Sequence, residues 1–105
     1  MIKPPVLKLT LRQPNSEAAR MTLEGEKITM GRSADCTLPI RDRFLSRHHA
    51  EFLFQNGAWH IHDCGSANGT FLNGTRLEVI ERLREGDVVM LGDSELQIGG
   101  AAEST

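Results

Sequence analysis

The chain has no run approaching the roughly 20 apolar residues that a membrane-crossing helix needs. Met1-Ile2-Lys3-Pro4-Pro5 carries no apolar core of the kind a secretory signal requires. Cysteine is scarce: only Cys36 and Cys64 are present. With nothing pointing to secretion, both are expected as free thiols in a reducing cytoplasm. An excess of positive charge is also missing. Twelve Lys and Arg against 14 Asp and Glu give a net charge of −2, which argues against a general nucleic-acid binder. His48, His49, His60 and His62 supply imidazoles, but no Cys-x-x-Cys or His-x-x-x-His spacing supports a metal site. Ser46 and His49 offer a nucleophile and a base in sequence, yet no nucleophile-elbow motif accompanies them, so no catalytic residue is expected. No long helix and no solenoid-like repeat can be read from the chain.

What remains is a sequence of 105 residues with 39% hydrophobic and 25% charged content, enough for one domain with one core. Val6 to Arg12 alternates, with Leu7, Leu9 and Leu11 on one face, as a half-buried strand does. Arg20-Met21-Thr22-Leu23 and Lys27-Ile28-Thr29-Met30-Gly31 are two short β-prone runs, expected to pair as a hairpin through Gly25. Pro39 makes Thr37–Ile40 an edge strand or a stiff loop, because proline has no N–H for the ladder. Asn56-Gly57 lies between Ala50–Gln55 and Ala58–Asp63, the strongest short hairpin signal there is. Phe52, Phe54, Trp59 and Ile61 are expected in the core. Asn73-Gly74 repeats the turn signal. Leu77, Val79 and Leu83 are expected to pack, Val88–Leu91 reads as a strand buried on both faces, and Glu95–Ile98 as the last strand. Short strands with turns at close intervals make an all-β sandwich or barrel. The expected organisation is an extension over 1–5, a domain over 6–98 and a disordered tail over 99–105.

Three polar segments interrupt the strands: Gly31-Arg32-Ser33, Ser46-Arg47-His48-His49, and Asp63 to Gly74. Loops held by a scaffold are where function usually sits. Residues 31–49 carry Arg32, Arg41, Arg43 and Arg47 against Asp35 and Asp42, whereas the later part of the chain is rich in Asp and Glu. A local basic patch on an acidic protein suits a small anionic group. A phosphate needs a fixed guanidinium, hydroxyl donors and convergent N–H groups. Arg32, Ser46, Arg47 and Asn68 are of those types, and a sandwich would bring their loops to one end.

Read in order, Gly31-Arg32, Ser46-Arg47-His48-His49-Ala50-Glu51-Phe52, Trp59-x-Ile61-x-Asp63, Gly65-Ser66-x-Asn68-Gly69-Thr70-Phe71-x-Asn73-Gly74, Gly86-Asp87 and Leu91-Gly92 resemble the forkhead-associated (FHA) domain. The resemblance runs from about residue 28 to 98. It implies an eleven-stranded β-sandwich that binds phosphothreonine peptides through apical loops, with no cofactor, no metal and no chemistry of its own. It implies that Arg32 grips the phosphate, Ser46 hydrogen-bonds it, Arg47 touches phosphate or peptide backbone, and Asn68 holds the peptide main chain, with Ser66 and the residue at 67 assisting. Gly31, His49, Gly69, Thr70 and Asn73 fall at architectural positions. Position 67 is often Ser or Thr in the family and is Ala67 here. A hydrogen bond to a charged group is worth about 1.5–3 kcal/mol, so Ala67 is expected to weaken binding about tenfold or more without abolishing it. Phe44, just before Ser46, hints at an apolar ligand residue C-terminal to the phosphothreonine. The implied partner is a phosphothreonine-containing protein, and indirectly a Ser/Thr kinase, with neither nucleic acid nor membrane. The alternative is an interaction or self-association domain indifferent to phosphate.

Overall fold

A computed structural model describes residues 3–99 and contains eleven strands and no helix among them. β1 (Val6–Arg12), β2 (Ala19–Glu24), β7 (Thr70–Leu72), β8 (Thr75–Arg76), β10 (Val88–Leu91) and β11 (Ser94–Ile98) form a six-stranded sheet ordered β2-β1-β11-β10-β7-β8. β3 (Lys27–Gly31), β4 (Leu38–Pro39), β5 (Ala50–Gln55), β6 (Ala58–Asp63) and β9 (Glu81–Arg82) form a five-stranded sheet ordered β4-β3-β5-β6-β9. All pairings are antiparallel except β3 with β4. The expected all-β sandwich of eleven strands is therefore present. Pro39 sits on an edge strand, where its missing N–H leaves no gap in a ladder. Residues 100–105, most of the expected tail, lie outside the described residues.

The period-2 pattern fixes which faces meet. Leu7 and Leu9 of β1, Ile28 and Met30 of β3, Phe52 of β5, Ile61 of β6, Val89 and Leu91 of β10 and Leu96 of β11 are all buried and form one core between the sheets. The two Asn-Gly turns have positive φ at both residues, 52° and 75° at Asn56-Gly57 and 50° and 89° at Asn73-Gly74. That geometry matches the twist of the strands they join.

Four expectations need correction. The runs on either side of Gly25 do not form a hairpin: β2 pairs with β1 and β3 pairs with β5, in different sheets. Gly25, at φ 125°, carries the chain between sheets with its N–H on the Pro5 carbonyl. Phe54 is only half-buried, whereas Trp59 packs, partly buried, against the core. They meet edge to face at 5.3 Å, with the indole N–H on the Val6 carbonyl. Val79 does not pack and is 65% exposed, because only Leu77 and Leu83 of that segment reach the core. β10 is not buried on both faces. Met90 is 41% exposed while Val89 and Leu91 are fully buried, since the outer face of this sheet has no covering layer.

Candidate functional site

The register brings the polar loops to one end. Met30 pairs with Ala50, and Ala50 with Asp63, so β3 ends, β5 begins and β6 ends together. In the other sheet Leu91 pairs with Thr70 and with Ser94. The segments 31–37, 41–49, 64–69 and 92–93 therefore share one apex.

Arg32 leaves the end of β3 with its backbone N–H on the Ser46 carbonyl at 3.1 Å. Its Nε donates to the Leu45 carbonyl at 2.6 Å. One edge of the guanidinium is thereby fixed, and the Nη groups have no partner among the described residues. Gly31 is buried because the Ser46-Arg47 backbone lies directly on it: a Cβ there would fall 2.1 Å from the Arg47 carbonyl oxygen. The same carbonyl accepts from the Ser33 N–H at 3.1 Å and from the Cys36 thiol at 3.3 Å. Burial pushes the Cys36 thiol up, outweighing the hydrogen bonds that favour its thiolate, so it stays a neutral donor. Arg32 and Arg47 line one open pocket of about 440 Å³ with Ser33, Ala34 and Asp35. Among the described residues neither arginine has a carboxylate within salt-bridge range.

Ser46 and the 65–69 loop meet directly. The Ser46 hydroxyl oxygen accepts from the Ala67 N–H at 3.0 Å, and the hydroxyl proton has no acceptor among the described residues. Asn68 Nδ2 donates to the Phe44 carbonyl at 2.7 Å, and its Oδ1 accepts from no donor among the described residues. Arg32, Ser46, Arg47, Ala67 and Asn68 are thus brought together. Ser66 is placed differently. Its hydroxyl donates to Asp63 Oδ1 at 2.6 Å and accepts from the Gly69 N–H at 2.9 Å, so it is spent inside its own loop.

His49 is fully buried. Its Nδ1 accepts from the Ser46 N–H at 3.0 Å, which leaves the proton on Nε2 to donate to the Gly69 carbonyl at 2.9 Å. Gly69, at φ 90°, has the Arg76 guanidinium 2.9–3.2 Å from where a Cβ would be. Thr70 is buried with its hydroxyl on Asp63 Oδ1. Asn73 accepts from the Val88 N–H and donates to Asp87.

Two carboxylates matter that the sequence did not single out for the site. Asp63 accepts four donors, the N–H groups of Gly65 and Ser66 and the hydroxyls of Ser66 and Thr70. Burial raises its pKa, but those hydrogen bonds outweigh burial and hold the carboxyl below the usual carboxylate range. Asp42 accepts from the Phe44 N–H, the Asp93 N–H and the Ser94 hydroxyl, tying the 41–46 loop to the β10–β11 turn. The usable signals were Asx-type spacing: Asp63 lies two and three residues before the N–H groups it holds, and Asp42 two before Phe44.

An apex with two guanidinium groups that lack carboxylate partners, a free hydroxyl proton and no buried unsatisfied side-chain atom among the described residues offers donors of the kind an anionic group needs. Comparison with known proteins gives the family. Residues 28–92 match the FHA domain. The FHA domain-containing protein FhaB of Mycobacterium tuberculosis is 31% identical over 80 residues, 76% of this chain and 52% of that protein. The oxoglutarate dehydrogenase inhibitor of Corynebacterium glutamicum is 36% identical over 93 residues, 89% of this chain and 59% of that protein. The chain therefore spans about half the length of the curated relatives it matches. The FhaA FHA domain, solved in complex with the intracellular domain of Rv3910, superimposes with a TM-score of 0.75 at 27% identity over 87% of this chain and 99% of that one. With its motifs, its strand order and these relatives in agreement, the chain belongs to the FHA domain family.

Proposed function

We propose that this domain recognises phosphothreonine-containing protein segments produced by a Ser/Thr kinase, and that it does so without catalysis, in the cytoplasm. The observation that carries the reading is the pair of arginines, Arg32 and Arg47, facing one open pocket with no carboxylate partner among the described residues. A phosphate at neutral pH carries about −1.5 to −2 charges and three acceptor oxygens. Arg32 Nη groups grip it, the Ser46 hydroxyl donates to it, and Arg47 adds charge. Asn68 Oδ1 accepts from the peptide main chain. Ala67 brings no hydroxyl, and its N–H is spent on Ser46. Ser66 acts through the loop shape. The threonine preference rests on family membership; a solved relative at 27% identity comes from an analysis of phosphothreonine-dependent FHA domain interactions. Phe44 is 40% exposed, with Arg43 stacked on its ring at 5.0 Å, and offers an apolar surface beside Asn68 for a residue C-terminal to the phosphothreonine.

The test is a degenerate phosphothreonine-peptide library, with selected peptides measured by calorimetry against wild type, Arg32→Ala and Arg32→Lys. One hydrogen bond to a charged group is worth about 1.5–3 kcal/mol, so Arg32→Ala loses at least about 10- to 150-fold in affinity. Arg32→Lys recovers only part of that, because a lysine has no planar fork. Equal affinity for phosphorylated and dephosphorylated peptides would sink this reading in favour of a phosphate-independent interaction domain.

A further inference from the structure

We propose a second site, away from the apex pocket, that takes one borderline divalent transition-metal ion of the zinc type. Its ligands are Glu51, His62 and Cys64. These lie on the outer face of the five-stranded sheet. Glu51 and His62 are a cross-strand pair in the β5–β6 register, and Cys64 follows His62 by two residues on the same face. One carboxylate oxygen, one imidazole nitrogen and the thiol sulfur all lie within 4.8 Å of one another. His62 Nδ1 already sits 2.9 Å from Glu51 Oε2. Sequence spacing did not disclose the set, because Glu51 comes from a different strand and is joined to His62 only by pairing.

The donor types choose the metal. A thiolate and an imidazole favour zinc and its neighbours over magnesium or calcium, which take oxygen. Three protein ligands leave the fourth tetrahedral position open. An open pocket of about 560 Å³, walled by Leu53 and by the Leu77–Ile80 segment, adjoins Glu51 and His62. The surroundings suit a cation. Glu51 and His62 line that pocket together with Asp63 and Glu78, and among the described residues the one counter-charge on Glu51 besides His62 is Lys27, whose Nζ is 3.6 Å away. Glu51 is only 14% exposed, so its carboxylate is well shielded and held in place. An ordinary Glu–His ion pair would account for two of these groups but gives the thiol no part. The backbone of Cys64 is also pinned, its N–H donating to the His49 carbonyl at 2.9 Å, which holds the sulfur's attachment point fixed. On binding, the Cys64 thiol proton passes to solvent and the sulfur–metal bond forms; the proton that His62 Nδ1 shares with Glu51 is given up to solvent while Nε2 carries the ring's remaining proton, so that Nδ1 exchanges its contact with Glu51 for the metal.

The experiment uses the folded chain, reduced with a non-coordinating phosphine. It is titrated with Zn²⁺ by calorimetry and with Co²⁺ by absorption spectroscopy. The expected result is saturable one-to-one binding, with a sulfur-to-cobalt charge-transfer band in the near ultraviolet. Cys64→Ser removes the band. Glu51→Gln and His62→Gln each weaken Zn²⁺ binding by more than the roughly 10- to 100-fold typical of residues that merely orient a ligand. Cys36→Ser and His60→Gln leave both readouts unchanged. Absence of saturable one-to-one binding overturns the proposal, as does a band that survives Cys64→Ser or disappears in Cys36→Ser. Should Glu51→Gln fail to fold, the cobalt band in wild type and Cys64→Ser still decides. Phosphopeptide binding takes no part in these readouts, so this site stands or falls independently of the apex.

Discussion

At the scale of single residues, the apex depends on Asp63 as much as on the arginines. Four donors converge on its two oxygens at 2.6–3.0 Å. Asn can offer one acceptor oxygen and must aim an N–H₂ at donors on the other side. Asp63→Asn is therefore expected to lose about 3 kcal/mol of stability, in the range for hydrogen bonds to a charged group. It should also loosen the loop that carries Ala67 and Asn68. The same residue sets an acid response. Its folded carboxyl titrates below the ordinary value of 3.8, so its contribution is complete above about pH 4 and is lost as the pH falls through the lower folded value. Denaturant unfolding of wild type between pH 7 and 2 should show stability falling in that acid window, and Asp63→Asn should fall less steeply there. Equal slopes in the two proteins would mean that the carboxylate is not preferentially ionised in the fold. Asp63 was visible in the sequence as part of a motif. Its role was not, because Ser66 looks like a ligand donor until its hydroxyl is seen to be occupied.

At the scale of elements, local chemistry was legible wherever it decides the outcome. Asn56-Gly57 and Asn73-Gly74 can adopt positive φ, and they form hairpins whatever lies around them. Leu7, Leu9 and Leu96 alternate, and alternation needs only one buried face. The misreadings come from properties that depend on the opposite layer. Nothing in Met21–Met30 says that two adjacent strands belong to different sheets. Likewise Val79 and Met90 look like core residues, but no element covers them. The close approach at Gly31 belongs to the same class. Its φ is not in the left-handed region, so the glycine is required by contact and not by backbone conformation. A Cβ would meet the Arg47 carbonyl at 2.1 Å and the Ser46 carbonyl at 2.9 Å. Both are backbone atoms, so neither yields unless the whole segment that carries it shifts. Gly31→Ala is expected to cost about 1–3 kcal/mol, as overpacking does, and to move the Ser46-Arg47 segment away from Arg32. Phosphopeptide affinity should then fall even though both arginines remain. An unchanged melting temperature together with unchanged affinity would show that the segment shifts without consequence.

At the scale of the whole molecule, the question is what makes one site from two sheets. The hydrophobic core holds the sheets together but says nothing about how their apical loops align. Contacts between the sheets do that, among them those of Asp42 and His49. Asp42, after β4 of one sheet, holds the Asp93 N–H and the Ser94 hydroxyl of the other. His49, before β5, holds the Ser46 N–H with one ring nitrogen and the Gly69 carbonyl, just before β7 of the other sheet, with the other. Removing the imidazole leaves a buried space and two backbone groups without partners, each worth about 1–3 kcal/mol. His49→Ala is therefore expected to destabilise by about 3 kcal/mol or more. Phe52→Ala makes a useful counterpart. It removes a fully buried side chain from the core at a cost of about 3–5 kcal/mol, yet leaves every apical hydrogen bond in place. Measured at low temperature, where both variants are mostly folded, Phe52→Ala should keep near wild-type phosphopeptide affinity after correction for the folded fraction. His49→Ala should lose affinity beyond that correction, because Ser46 is no longer held against the 65–69 loop. If the two variants lose affinity in the same proportion to stability, the histidine contributes only to folding. If only His49→Ala loses it, then alignment of the two sheets at the apex, and not the presence of Arg32 alone, makes the pocket competent.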